Sequence, residues 1–174
     1  MLIRHVLLVA ALVFSLVGCS AHYQTTNLSG VNGKLDRQKT VYVAVPQDGA
    51  YGSQVYRGSG QTVTRAVAAA FSREAQKVRS ASKSLAVDKT LELAKAQGAG
   101  YAVVPVIAHW EHRATEWSGL PSRMTIQLSI LDVATGEQVQ STMIEGRSRV
   151  VSWTSTSPES LLREPLAQYV GSIY

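Results

Sequence analysis

One cysteine, Cys19, stands in 174 residues, so the chain has no disulfide framework and cannot assemble a thiolate zinc cluster. No apolar run reaches the roughly 20 residues that span a bilayer; the run near the amino terminus, Val6–Val17, has 12. Phosphate-loop, dinucleotide and nucleophile-elbow signatures are missing too. Gly58-Ser59-Gly60 lacks the Gly-Lys-Ser/Thr ending of the first, the spacing of the second and the Gly-x-Ser-x-Gly frame of the third. Charge of one sign is scarce as well. Lys and Arg are scattered from Lys34 to Arg163, densest at Arg73, Lys77, Arg79 and Lys83 with Glu74 between them. A nucleic-acid binder concentrates its charge on one face. This dispersal reads as solvated surface, with anionic cell-wall polymer or lipid headgroups as the alternative contact. No nucleic-acid partner is expected.

What is present begins at the amino terminus. Arg4 within Met1–His5, the apolar Val6–Val17 and the small residue before Cys19 describe a secretory signal. An odd cysteine in an exported chain calls for a partner or a modification. Leu16-Val17-Gly18-Cys19 resembles a bacterial lipobox, which implies cleavage before Cys19 and lipidation of its thiol. Residues 1–18 are then a signal peptide, and the mature chain keeps no thiol for redox chemistry, metal binding or nucleophilic attack. Losing Arg4 from 17 Lys+Arg leaves 16 against 12 Asp+Glu, a net charge of +4. Several acyl chains, as lipoproteins of this kind carry, hold a protein stably where a single chain does so marginally. Ser20, next after the cysteine, resembles the outer-membrane default. The expected location is therefore the outer membrane, lipid-anchored and facing the periplasm.

Ser20–Lys39 is rich in Ser, Thr, Asn, Gln and Gly with no sustained apolar period, the pattern of a flexible tether. Residues 19–39 are assigned to the lipidated cysteine and tether, and 40–174 to a single globular domain large enough to bury a core unaided. Thr40–Val45 is apolar on both faces and ends at Pro46, as a buried central strand does. Gln47–Gly60 reads as loop. In Gln61–Lys77, Val63, Ala66, Val67, Ala70 and Phe71 recur at helical spacing. A short, weak strand is expected at Val78. Asp88 is expected to cap a second helix that holds Leu91, Leu93 and Ala94 inside and stops at Gly98. Tyr101–Ile107 reads as a central strand in which Pro105 requires an edge or a bulge. Met124–Val133 alternates Ile126, Leu128 and Ile130 with Gln127 and Ser129, a half-buried strand. Asp132–Glu137 is a hairpin turn with Gly136 left-handed, leading into the strand Gln138–Arg149. Ser157-Pro158-Glu159 opens a carboxy-terminal helix through Tyr169, which Pro165 kinks or restarts. Strand-helix-strand-helix, then a three-strand meander and a helix, defines an α/β fold: a mixed β-sheet with helices packed on it.

Val103-Val104-Pro105-Val106-Ile107, His109-Trp110-Glu111, the run Arg113–Pro121 and Leu131–Glu137 resemble an uncharacterised family of proteobacterial outer-membrane lipoproteins, a domain of unknown function. Within that set, Trp117-Ser118-Gly119-Leu120-Pro121 is the more specific signature. The resemblance covers most of Thr40–Arg149. It implies an element order similar to the amino-terminal domain of the periplasmic protein TolB and to lipoprotein activators of cell-wall synthases. The family has no established activity, so the resemblance implies neither catalytic residues nor a cofactor.

His109-Trp110-Glu111-His112 invites a metal reading, but alternation along a strand puts His109 and Glu111 on one face and His112 on the other. His22 falls in the tether and His5 in the signal, so converging ligands are not assembled and no metal is expected. Ser59 as a nucleophile needs His109 or His112 as its base, and nothing in the sequence requires that. Asp48, Glu111 and Glu116 are available carboxylates, but paired-acid chemistry is defined by separation in space. Enzymatic activity is not expected. The more suggestive stretch holds Trp110, Glu111, Arg113, Glu116 and Trp117, read as an extended loop between two strands that ends at Gly119 and Pro121. Tryptophan and arginine are enriched in binding hot spots; core or lid packing fits the same tryptophans. Tyr51 and Tyr56 of the glycine-rich loop are placed beside this stretch. The expected function is an outer-membrane-anchored periplasmic lipoprotein. It attaches to the membrane through the lipid on Cys19 and serves as a binding or assembly module with an envelope protein or the cell wall as partner. An envelope-acting hydrolase and a purely structural envelope lipoprotein are the alternatives.

Overall fold

Val41, Val43 and Val45 alternate with Tyr42 and Ala44, and all five are buried. A strand covered on both faces needs a layer on each side, and the rest of the fold supplies them. The computed structural model describes residues 22–30, 33–112, 120–148 and 157–174; the expected signal peptide and Cys19 lie outside the described residues. Among the described residues the chain runs β1 (His22–Gly30), β2 (Val41–Val45), a small hairpin of β3 (Ala50–Tyr51) and β4 (Gln54–Val55), α1 (Ser59–Phe71), β5 (Val78–Ser84), α2 (Val87–Ala96), β6 (Tyr101–Glu111), β7 (Arg123–Asp132), β8 (Gln138–Arg147), a 3₁₀ turn (Pro158–Leu161) and α3 (Arg163–Ile173). The main sheet is ordered β1-β8-β7-β6-β2-β5. Its β1, β8, β7 and β6 are antiparallel neighbours, while β6, β2 and β5 run parallel. This is the mixed α/β sheet with a three-strand meander that the sequence predicts.

The two faces are covered unequally. On one, α1 and α3 lie over Val41, Val43, Val103, Ile126, Leu128, Ile130 and Ile144. Helix α1 contributes Val63, Val67, Ala70 and Phe71, spaced by helical turns. The Thr64 hydroxyl donates to its own helix at Gly60 O and lies 3.1 Å from Ala44 O, tying α1 to β2. On the other face, the single helix α2 seats Ala94 against Tyr42, Ala99, Ala102, Leu131 and Val133. The alanines let helix and sheet approach closely. Among the described residues no other helix lies on this face, and Thr125, Gln127 and Ser129 are half-buried and polar, as expected for a sheet solvated on one side.

The largest departure from the sequence reading is the tether. His22–Gly30 pairs antiparallel with β8 along nearly the whole of that strand. After it, Leu35 is buried and its N–H donates to Ile173 O at 2.8 Å. Arg37 pairs with Glu74, and Lys39 Nζ lies 3.0 Å from Asp132. The described fold thus reaches back at least to His22, ahead of the expected start at residue 40. An edge strand takes its backbone partners from one neighbour and keeps its side chains in solvent, so Gln24–Ser29 carry no burial pattern to read.

Smaller corrections have local causes. Helix α1 spans Ser59–Phe71 instead of 61–77; the chain then turns, and Gln76 N–H donates to Arg37 O. Ala86, not Asp88, is the N-cap of α2, and Asp88 sits in its first turn, where a carboxylate complements the helix dipole. Thr90 and Ala94 are the buried residues of that helix, whereas Leu93 is 41% exposed. The weak strand at Val78 is a seven-residue edge strand parallel to β2. Pro105 lies where β2 has already left β6, since their pairing stops at Val103; the edge that Pro105 requires is there. Pro165 restarts the carboxy-terminal helix, which runs to Ile173 after the separate 3₁₀ turn. The Asp132–Glu137 hairpin is as expected, with Gly136 at φ +74°.

Candidate functional site

Alternation along β6 carries Val103, Pro105 and Ile107 toward α1 and α3. Continued unbroken, it would push His109 and Glu111 into that core. A bulge between Ile107 and His109 resets the register, so that Trp110 pairs with Met124 and His109 with Thr125. Trp110 therefore enters the core at 5% exposure, while His109 and Glu111 share the opposite face. Gly49 passes so close over the indole that an added Cβ would lie 2.5 Å from Trp110 Cβ. Glu111 is 3% exposed, with Oε2 3.1 Å from His109 Nε2. Tyr51 meets the His109 ring edge-on at 5.2 Å, and the Tyr56 hydroxyl accepts from His112 N–H at 3.3 Å. The glycine-rich loop does border this stretch. Arg113, Glu116 and Trp117 lie outside the described residues.

The start of α1 holds an anion already. Asp48 accepts from Gly58 N–H at 3.0 Å and from Gly60 N–H at 2.8 Å, so an internal carboxylate fills the place a bound anion would take at a helix N-terminus. Ser59 Oγ is buried and accepts from Gly49 N–H. It is spent on loop geometry and sits against no imidazole.

Sequence reasoning missed a groove on the open face, of about 450 Å³, lined by His22, His109, Arg123, Thr125, Glu145 and Arg147 among others. Four strands set it up through register. Across one row lie His22, Arg147, Arg123 and Glu111; across the next, Gln24, Glu145, Thr125 and His109. His22 was hidden in the polar segment read as tether. Arg123 and Arg147 belong to no motif, but the Asp132–Glu137 turn fixes the β7–β8 register to within the one-residue irregularity near its start, and that pairing was the available signal. The groove can attract anions by charge and accept or donate through imidazole and hydroxyl groups.

A mixed sheet with two helices on one face, one on the other, and a meander at its centre defines this as a small α/β sandwich domain. The chain belongs to the DUF4823 family, a domain of unknown function, whose profile matches residues 33–173. No curated protein matches it. Among solved structures it is similar to the PelC dodecamer from Paraburkholderia phytofirmans, at 20% identity and TM-score 0.65 over 84% of this chain and 96% of that one. It is also similar to protein XCC0632 from Xanthomonas campestris, a DUF330 protein, at 14% identity and TM-score 0.53 over 83% and 88%. Lipoprotein GNA1162 from Neisseria meningitidis follows at 15% identity and TM-score 0.49 over 78% and 97%. At such identities the likeness is one of fold.

Proposed function

We propose that this chain is an outer-membrane-anchored periplasmic lipoprotein that works as an assembly module of the cell envelope. Cys19 supplies the anchor at the end of the expected signal. The observation that carries the assembly role is the sheet's two edges: among the described residues β1 and β5 are each paired on one side only, and Gln24–Ser29 of β1 are exposed. Open edges are templates for pairing with another chain. Two different edges on one domain favour a heterologous, head-to-tail contact, which closes into a ring when the rotation permits. A solved protein of similar fold is a dodecamer, which supports this reading. The segment Trp110–Trp117 is the second candidate contact: Trp110 and Glu111 are buried, so the binding role falls to Arg113, Glu116 and Trp117.

The test is native mass spectrometry of the lipidated protein in detergent, with crosslinkers placed in β1 and in the Trp110–Trp117 segment. Higher oligomers joined through β1 are the expected result. A monomer at every concentration, with no crosslinked partner, would reject the assembly role. Cys19→Ser separately tests the anchor: its membrane partition and mass should change.

A further inference from the structure

Arg123 and Arg147 are direct register partners on adjacent strands, and His22 stands opposite Arg147 on the other side. Like charges opposed in this way destabilise a sheet unless an anion lies between them. Both arginines are exposed, and among the described residues neither guanidinium has an ion-pair or hydrogen-bond partner. Two acids are near. Glu111, opposite Arg123, is turned to His109, and Glu145 has Thr125 and Gln24 as its register partners. The pair is thus left to present two planar forks, the side-chain geometry that matches phosphate oxygens.

Chain length says what faces this pair. His22 follows Cys19 by three residues, a stretch that reaches at most about 10 Å. Because β1 replaces the expected tether, the domain cannot stand off the bilayer. Leu120, at the same end of the sheet, is 48% exposed. Resting on the lipidation of Cys19 proposed above, the geometry points to Arg123 and Arg147 as a docking site for the phosphates of anionic lipid headgroups. The domain is seated on the membrane by this end of its sheet. The acyl chains and the arginine pair then act as two membrane signals in series.

The experiment uses the full lipidated protein in vesicles of neutral phosphatidylcholine, or of phosphatidylcholine with anionic phosphatidylglycerol. With the Cys19 sulfur acylated, Leu120→Cys offers a single thiol for a fluorophore, and quenching by headgroup-labelled lipid reads the docked-to-free ratio. Ala134→Cys, in the hairpin turn at the opposite end, is the orientation control. Quenching at 120 but not at 134, strengthened in anionic vesicles and reversed by salt, is expected. Arg123→Gln or Arg147→Gln should lower the ratio about five-fold each, and the pair about 25-fold. The double Arg→Lys variant should dock more weakly than the parent but more strongly than the double Arg→Gln variant, since it keeps the charge and loses the planar forks. Lys77→Gln with Lys95→Gln, far from this end, should leave the ratio unchanged. Equal ratios in neutral and anionic vesicles, or a ratio indifferent to both Arg→Gln changes, overturn the docking site while leaving the anchor intact. Protein that washes off neutral vesicles removes the anchor itself and the proposal with it. Reversal by low concentrations of inorganic phosphate, where chloride at equal ionic strength does nothing, assigns the pair to a free anion and also overturns the membrane site.

Discussion

Gly136 carries the hairpin in a conformation that other residues resist. An added Cβ there meets nothing within 4 Å, so space is no obstacle and backbone strain alone sets the cost. Gly136→Val is expected to lose about 1 kcal/mol or more in urea unfolding, with the β7–β8 pairing kept. Tyr169 presents the opposite situation. Its ring is buried in α3, burial pushes its phenol up to about 12, and its hydroxyl has no hydrogen-bond partner among the described residues. Deleting an unsatisfied buried hydroxyl removes a desolvation cost. Tyr169→Phe should therefore be neutral or raise the melting temperature, and a loss of about 1 kcal/mol or more would show a partner for that oxygen. Trp110 is a packing residue beneath Gly49; Trp110→Ala should cost roughly 3–5 kcal/mol of stability.

At the scale of elements, the segment leading into β2 is tied to the sheet by charge as well as by backbone hydrogen bonds. Lys39, just before β2, reaches Asp132 at the end of β7. The Lys39 hydrogen bond, aided by the N–H groups of Ala134 and Thr135, holds the Asp132 carboxyl below its ordinary value, and the Lys39 amine is raised in turn. A carboxyl depressed in the folded state contributes fully above its unfolded pKa, near 4, and the contribution fades as pH falls through the depressed value. The lysine contribution persists until pH rises past its ordinary value of about 10.5 and through the raised one. Stability measured between about pH 6 and 2 should accordingly fall less steeply for Asp132→Asn than for the parent protein. Parallel slopes would show that the pair contributes nothing at this site. Within β6, one bulge decides that Trp110 enters the core under α1 and α3 while His109 and Glu111 share the opposite face of the sheet, so its removal should exchange their environments.

For the whole molecule, the relevant contrast is between packing and contact. The core binds α1 and α3 to one face of the sheet, while the other face is only partly covered by α2. Among the described residues, two strand edges and the row of Arg123 and Arg147 are exposed, and the proposed partner contacts rest on these and on the Trp110–Trp117 segment. Trp117→Ala is expected to leave thermal unfolding nearly unchanged while weakening partner capture, as truncation of a hot spot commonly costs about 2 kcal/mol or more of binding. A large drop in melting temperature would instead place Trp117 with Trp110 in the core, and the segment would lose its role in binding.

The central strands, α1, the meander and its turn were legible in the residues alone, because burial imposes periods of two and 3.6 that side-chain chemistry must obey. Ile126, Leu128 and Ile130 cannot alternate with Gln127 and Ser129 and be anything but a one-sided strand. The signal and the lipidated cysteine are expected from local chemistry in the same way and lie outside the described residues. Tertiary structure decided the rest. A polar edge strand such as β1 is held by backbone hydrogen bonds to β8, which leave no mark on its side chains. The His22–Arg147–Arg123–Glu111 row joins residues more than 100 positions apart through register, and the Ile107–His109 bulge arises between strands. Such features depend on which backbones meet, and only the folded sheet determines that.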